Sequence, residues 1–380
     1  MKKIIFILLL FVFIVFSALF VLNSFEIEYD LTSIEDMTIE YTEKFISPNP
    51  IAYLKGKYIL KDGVPLDVAV NSTVIEGKIG SYPIYYKTSF LHIEKEASSV
   101  CNIIDLDYPI IELKFLDEEY ILPGEDYNSF SASDNYDGDI TDKVIVDVGE
   151  DEVIYTVSDS YGNKTSVTKK LVTDKTKIIY LTFDDGPSPY TSELLDILKK
   201  HNVKATFFVV GTAYCDILSR VAEEGHTIGI HSYTHEFKYI YANDENYFAD
   251  FNKIKDLIYQ KSGYDTKLLR FPGGSSNTVS KRYNKGIMTR IAEELHNQGY
   301  EYFDWNVDSD DAGKARDSQT VYDNVIKGIT GKRVAVVLQH DIKKFSVDAV
   351  EDIIIWGKEN GYIFLPLRVD SFTAQHRILN

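Results

Sequence analysis

Cysteine is nearly absent from this 380-residue chain, with only Cys101 and Cys215. Two thiols so far apart form no disulfide framework, so both are expected to be free and to carry neither the fold nor the chemistry. Basic residues are also in deficit. Lys and Arg number 40 against 58 Asp and Glu, for a formal net charge of -18. Without a basic surplus to neutralise phosphates, nucleic acid and anionic lipid headgroups are excluded as main partners. Long helix-period patterns are scarce between Phe25 and Asp174, which excludes a helical bundle there.

What is present divides into three. The length suggests two or three domains, and the 44% hydrophobic content is ample for their cores. The N-terminus, MKKIIFILLLFVFIVFSALFVLNS, has two lysines and then an uncharged apolar run from Ile4 to Leu22. That run approaches the ~20 residues of a membrane-spanning helix and exceeds the ~7–15 of a cleaved signal core. With no clear A-x-A site after it, an uncleaved anchor is favoured over a cleaved signal. Lys2 and Lys3 hold the N-terminus in the cytoplasm and leave the rest of the chain outside.

From Phe25 to Asp174 the chain reads as short β segments with turns, such as GKIGSYPIYYKTSF (77–90) and DEVIYTVSDSYGNKTSVTKKLV (151–172). The spacing suits two β-sandwich modules meeting near DLDYPIIEL (105–113). SASDNYDGDITDKVIV (131–146) with YTVSDSYGN (155–163) resembles the immunoglobulin-like domains of bacterial surface proteins. The resemblance is weaker in the first module. Asp134, Asp137, Asp139 and Asp142 do not match an EF-hand loop and read as an Asx/Gly turn between strands. The expected division is 1–30 for the cytoplasmic stub and transmembrane anchor, 31–108 and 109–174 for the modules, and 175–380 for a catalytic domain.

After Asp174, apolar strands alternate with helical stretches, which signals a parallel sheet or barrel. Strands are expected near 178–185, 205–211, 226–231, 267–272, 301–308, 333–340 and 362–368. Helices are expected near 192–201, 215–224, 246–261, 286–299, 318–329 and 346–359. The pattern fits a distorted (β/α) barrel, with its chemistry at the C-terminal ends of the strands.

Polar residues collect at those ends. The first strand stops at Asp184-Asp185, the third at HSYTH with His231 and His235, and the fourth at RFPGG with Arg270. The fifth stops at DSDDA with Asp308 and Asp311, and the sixth at LQH with His340. Two histidines four apart can aim at one ion, with a strand-end carboxylate as third ligand and open positions left for water. Asp184 and Asp185 pose a puzzle, because neighbours on a continuing strand face apart. The strand must end there, with Gly186-Pro187 turning the chain.

TFDDGPS (182–188), HSYTH (231–235), RFPGG (270–274), DSDDA (308–312) and LQH (338–340) resemble, in order, the five motifs of the polysaccharide deacetylases, the NodB-homology domain of carbohydrate esterase family 4. The resemblance spans about 176–370. It implies removal of acetyl groups from N-acetylated sugars with a divalent metal, zinc first, with cobalt, nickel or manganese as alternatives. Asp185, His231 and His235 would bind the metal. Asp184 would be the general base, held by Arg270, and His340 the general acid, paired with Asp311. Asp308 is assigned no such role and is read as a cap on the loop that follows it.

Two positions depart from the family pattern. Gly273 stands where a Tyr commonly supplies an N–H to the oxyanion, and Ala312 stands where a Trp usually lines the groove. The N–H survives in Gly273. The acetyl-binding wall must then come from 273–283 or from Tyr233, Trp305 or Tyr239. The resulting expectation is a single-pass membrane protein with its C-terminal domains outside the cell, acting on peptidoglycan. A secreted poly-N-acetylglucosamine or a chitin-like oligomer is the alternative substrate, and a non-catalytic glycan-binding surface protein the alternative class. A two-His-one-carboxylate iron oxygenase is disfavoured, since its Asp normally lies close to the first His and on a β-sandwich.

Overall fold

The computed structural model describes residues 2–380, in two compact units divided between Val172 and Thr173. The first begins with the helix Lys2–Leu22, in which Lys3–Leu22 is long and apolar enough to cross a membrane. The strand Phe25–Tyr29 then pairs antiparallel with Ala52–Gly56. Phe25–Tyr29 alternates core and solvent faces, with Ile27 and Tyr29 buried.

Residues 25–104 form two sheets around Ile27, Leu54, Ile84, Tyr86, Cys101 and Ile103. The longest hairpin pairs Gly80–Phe90 with Ile93–Ile104, turning at Leu91 (φ +54°). Residues 110–171 form two further sheets, with Val153 and Tyr155 in their core. Here Glu152–Ser158 pairs with Lys164–Leu171, so the 151–172 run is the hairpin its turn residues predict.

The second unit is a curled parallel sheet flanked by helices. Its central strand, Lys177–Asp184, is buried from Ile178 to its end, as a strand covered on both faces must be. Beside it runs Val334–His340, in register from Ile178↔Val334 to Asp184↔His340. Thr206–Val209 lies on the other side at the C-terminal end, where Asp184 pairs with Phe208, and Tyr362–Phe364 at the N-terminal end. Beyond Thr206–Val209 come Thr227–Ile230, Leu268–Leu269 and Glu301–Tyr302. This order places residues 184, 231, 270 and 340 at one edge.

The barrel expected from the sequence is not a ring of continuous strands. Segment 301–308 is broken: Glu301–Tyr302 bonds to Leu268–Leu269 at one end of the strand order, and Val307–Asp308 bonds to Val334–His340 at the other. Asn306 mends the break. Its side chain donates to Val334 O (3.1 Å) and accepts from Val336 N (2.8 Å), standing in for a strand partner. The expected helix 346–359 is two, Lys344–Asp348 and Val350–Glu359, and an extra turn of helix, Phe237–Ile240, follows the HSYTH loop.

The helices carry local signals. Asn243 caps Asp244–Ser262 by accepting from Asn246 N, and Gly263 ends it at φ +69°. Both cysteines are free and buried. Asn306→Ala would leave Val334 O and Val336 N without partners. It is expected to lower the stability of the unit by about 1–3 kcal/mol, read as a lower denaturation midpoint with the slope unchanged.

Candidate active site

The double-aspartate puzzle is solved at Asp185 itself. Asp184 is the last strand residue, and Asp185 turns left-handed at φ +68° before the cis Gly186-Pro187 bond. Both carboxylates are thereby presented at the same strand end. Gly186 must be glycine because a Cβ there would collide with the Asp341 carboxylate.

Asp185 Oδ1 lies 3.4 Å from His231 Nε2 and 3.3 Å from His235 Nε2. The three offer ligand atoms within 4.8 Å of one another. Asp185 Oδ1 is buried and has no hydrogen-bond partner; the imidazoles face it without bonding geometry. An orphaned carboxylate oxygen between two imidazole nitrogens fits a divalent cation, and the His₂-carboxylate set matches zinc and its neighbours.

The ligands are held from behind. His231 Nδ1 is 2.7 Å from Arg270 O, which fixes it as the N–H and leaves Nε2 its lone pair. The HSYTH residues form a loop rather than a helical turn. Asp250, on the helix Asp244–Ser262, accepts from Tyr233 N (2.6 Å) and from Thr234 N (2.9 Å), while Ser232 Oγ accepts from His235 N. His235 itself sits at φ +54°.

Arg270 is fully buried. It donates to Asp184 Oδ1 (2.8 Å), Thr182 Oγ1 (2.7 Å), Phe303 O (2.8 Å) and Asp304 O (2.8 Å), and its guanidinium lies 4.3 Å from the Phe208 ring centroid. Asp184 Oδ1 is thus occupied, and Oδ2 stands outside that bond. Asp311 accepts from His340 Nδ1 (2.7 Å), His340 N (2.7 Å) and Ser346 Oγ (2.7 Å). His340 Nε2 lies 3.8 Å from Asp185 Oδ2.

Charge follows these contacts. Burial opposes protonation of His340, but the Asp311 hydrogen bond and the charges of Asp311, Asp184 and Asp185 outweigh it and push the pKa up to about 9. Burial also opposes ionisation of Asp185, yet the adjacent imidazoles of His231, His235 and His340 hold its carboxyl well below the usual range. Asp341 is different: burial pushes it up to about 7, with Asp185 adding to the shift.

The remaining predicted residues are placed as follows. Gly273, at φ +77°, is exposed, and its N–H has no acceptor among the described residues. Trp305 lies with its ring 5.7 Å from the Arg270 guanidinium and against Gly274. Tyr233 packs instead under Lys253, whose Nζ is 3.7 Å from its ring centroid, and joins Tyr239 in lining a cleft of about 220 Å³. Ala312 is exposed, and Asp308 accepts from Asp310 N, which makes it a turn cap.

Four supporting residues carried no sequence signal that singled them out. Asp250 reads as an ordinary helix acid, and Asp341 merely follows LQH. Asp304, fully buried, accepts from Ser275 N (2.8 Å) and His376 N (2.8 Å) and so ties the GGSS loop to the C-terminal segment. His376 in turn lies with its ring 5.0 Å from Trp305.

A partly buried acid–histidine cluster at the strand ends of a curled parallel sheet has a carboxylate–arginine pair and a histidine–carboxylate pair beside it, an arrangement able to hold a divalent cation and to supply a base and an acid. Residues 171–292 match the family model described as polysaccharide deacetylase. A peptidoglycan-N-acetylglucosamine deacetylase of Bacillus cereus is 38% identical over 200 residues, covering 50% of this chain and 68% of the relative. Peptidoglycan-N-acetylglucosamine deacetylase PgdA of Listeria monocytogenes is 35% identical over 195 residues, 50% of this chain and 38% of that protein. The solved catalytic domain of peptidoglycan N-acetylglucosamine deacetylase from Eubacterium rectale superposes with a TM-score of 0.54 at 50% identity, covering 55% of this chain and 96% of that one. The chain belongs to the polysaccharide deacetylase family, hydrolases that act on carbon–nitrogen bonds other than peptide bonds.

The two aspartates are expected to separate by metal content. Asp185→Ala should lose bound zinc in elemental analysis of the purified protein, whereas Asp184→Asn should retain it. Equal loss in both would contradict the division of roles.

Proposed function

We propose that this protein removes N-acetyl groups from peptidoglycan at the outer face of the membrane, with Asp185, His231 and His235 holding a divalent cation, zinc before cobalt, nickel or manganese. The observation that carries the reading is the pairing on either side of the orphaned Asp185 oxygen. Arg270–Asp184 offers a fixed base and Asp311–His340 a fixed acid, which a site for binding alone does not need. The family membership and the named activities of the relatives support the substrate class.

When bound, the cation supplies Lewis acidity, polarising the acetyl carbonyl and making water easier to deprotonate. Asp184 takes the proton of the attacking water on Oδ2, because Arg270 occupies Oδ1 and fixes the carboxylate plane. The water oxygen bonds to the carbonyl carbon, and Gly273 N–H donates to the developing oxyanion. His340, cationic through Asp311, delivers its Nε2 proton to the sugar nitrogen as the C–N bond breaks. Acetate and a free amine leave. Trp305, beside Arg270, supplies an aromatic wall in place of the family's fourth-motif Trp.

The N-terminal helix anchors the protein, and the β-rich segments 31–108 and 109–174 act as immunoglobulin-like spacers that hold the catalytic unit at the wall. The sugar is N-acetylglucosamine before N-acetylmuramic acid, although a Bacillus subtilis relative, PdaC, bears the latter in its name.

Acetate release from peptidoglycan and from N-acetylglucosamine oligomers tests this directly. Activity should disappear with a chelator and return with zinc or cobalt, and Asp184→Asn should lower kcat by about 10²–10⁴-fold. No release under any metal would sink the reading. The acid has its own test. His340 donates only while protonated, and Asp311 raises its pKa, so Asp311→Asn should move the alkaline limb of the kcat–pH profile to lower pH. A limb that stays in place would remove His340 from the acid role.

A further inference from the structure

Three aspartates meet within the N-terminal unit. Asp105 follows the strand Ile93–Ile104, Asp134 ends the strand Phe130–Asp134, and Asp159 follows the strand Glu152–Ser158. Each spends Oδ1 on a turn, and Asp159 Oδ2 also accepts from Asn163 Nδ2 (2.7 Å). Asp105 Oδ1 accepts from Asp107 N (3.0 Å), Asp134 Oδ1 from Tyr136 N (2.8 Å) and Asp137 N (2.9 Å), and Asp159 Oδ1 from Tyr161 N (2.8 Å) and Asn163 N (2.9 Å). Those bonds fix the planes of the carboxylates.

The three then converge, with one oxygen of each within 4.8 Å of the others. Asp105, Asp134 and Asp159 are 5%, 7% and 8% exposed, and Asp105 Oδ2 and Asp134 Oδ2 are buried with no hydrogen-bond partner. Glu40 Oε1 is orphaned in the same way, and Glu40, Asp105 and Asp107 form a second triple that shares Asp105. Among the described residues no lysine or arginine pairs with any of these acids; Lys143 is taken by Asp137 at 3.2 Å. Buried carboxylates with no counter-charge, two of them with an oxygen that lacks any donor, are unfavourable unless a cation completes them. An all-oxygen donor set suits calcium, and offers zinc neither nitrogen nor sulfur.

We propose that Asp105, Asp134 and Asp159 bind a calcium ion, with Glu40 and Asp107 at its margin. Of the four aspartates clustered in the sequence, only Asp134 belongs to this site. Asp137 and Asp139 cap Ser160 and Thr141, as a turn reading requires. The ion bridges chain segments distant in sequence. Glu40 and Asp105 flank sheets built from residues 25–104, and Asp134 and Asp159 flank sheets built from residues 110–171. Its structural effect is to hold these two sets of sheets in one arrangement. Tyr41, Tyr136 and Tyr161, in edge contact at 5.2 and 5.6 Å, follow three of the acids closely in the chain and are placed to sensitise a lanthanide bound there.

The test uses the full chain in detergent with His231→Ala and His235→Ala, so that the catalytic cluster cannot account for binding. Calcium titrated calorimetrically should bind, should quench tyrosine-sensitised terbium luminescence by displacement, and should raise the first thermal transition. Asp105→Asn and Asp134→Asn on that background should each weaken calcium binding by about a hundredfold and abolish the thermal shift. In EDTA both should melt no lower than the parent, since each removes a buried like charge; this confirms that they fold. No calcium binding by the parent, or undiminished binding in both variants, overturns the proposal.

Discussion

The buried guanidinium of Arg270 is the constraint on which the catalytic unit depends. A fully desolvated cation is tolerable only where a counter-charge and hydrogen-bond acceptors surround it. Its partners come from Asp184 and Thr182 on the central strand and from Phe303 and Asp304 in the break of segment 301–308. Its backbone meanwhile accepts from His231 Nδ1 and donates to Ile230 O. One residue thus joins Asp184, a metal-ligand candidate and the irregular segment that serves both ends of the sheet. Losing its side chain would leave a buried carboxylate unpaired and two backbone oxygens, of Phe303 and Asp304, without that donor.

The same logic separates the acids of the site. Asp184 meets a guanidinium, Asp311 meets an imidazole and a hydroxyl, and Asp185 meets two imidazoles with one oxygen left over. Three carboxylates of similar intrinsic acidity therefore acquire three different environments from their surroundings. Asp341, buried with its carboxylate accepting from Thr191 Oγ1, fills the space under Gly186 and completes the turn that sets Asp185 in place.

Much of this was legible because the motifs are local. TFDDGPS, HSYTH, RFPGG and LQH each place a polar residue at the end of an apolar strand, and strand periodicity locates those ends. Other features were hidden because they depend on pairing across the chain. Asp250 supports Tyr233 and Thr234 from a helix whose sequence marks it as no more than one acid among several. Tyr233 was a plausible groove residue by position, yet its ring is drawn under Lys253. Segment 301–308 reads as one strand, and only the competing demands of two neighbours break it.

By itself the sequence determined the strand–helix alternation of the C-terminal unit, the apolar helix at the N-terminus, and which acids and histidines stand at strand ends. Those properties follow from periodicity and from residues adjacent in the chain. Tertiary structure alone decided that Asp185 rather than Gly186 makes the turn, and that Asp105, Asp134 and Asp159 converge. It also decided that Arg270 has no solvent. Each depends on groups brought together from distant segments, where burial turns an ordinary polar side chain into one that must find a partner.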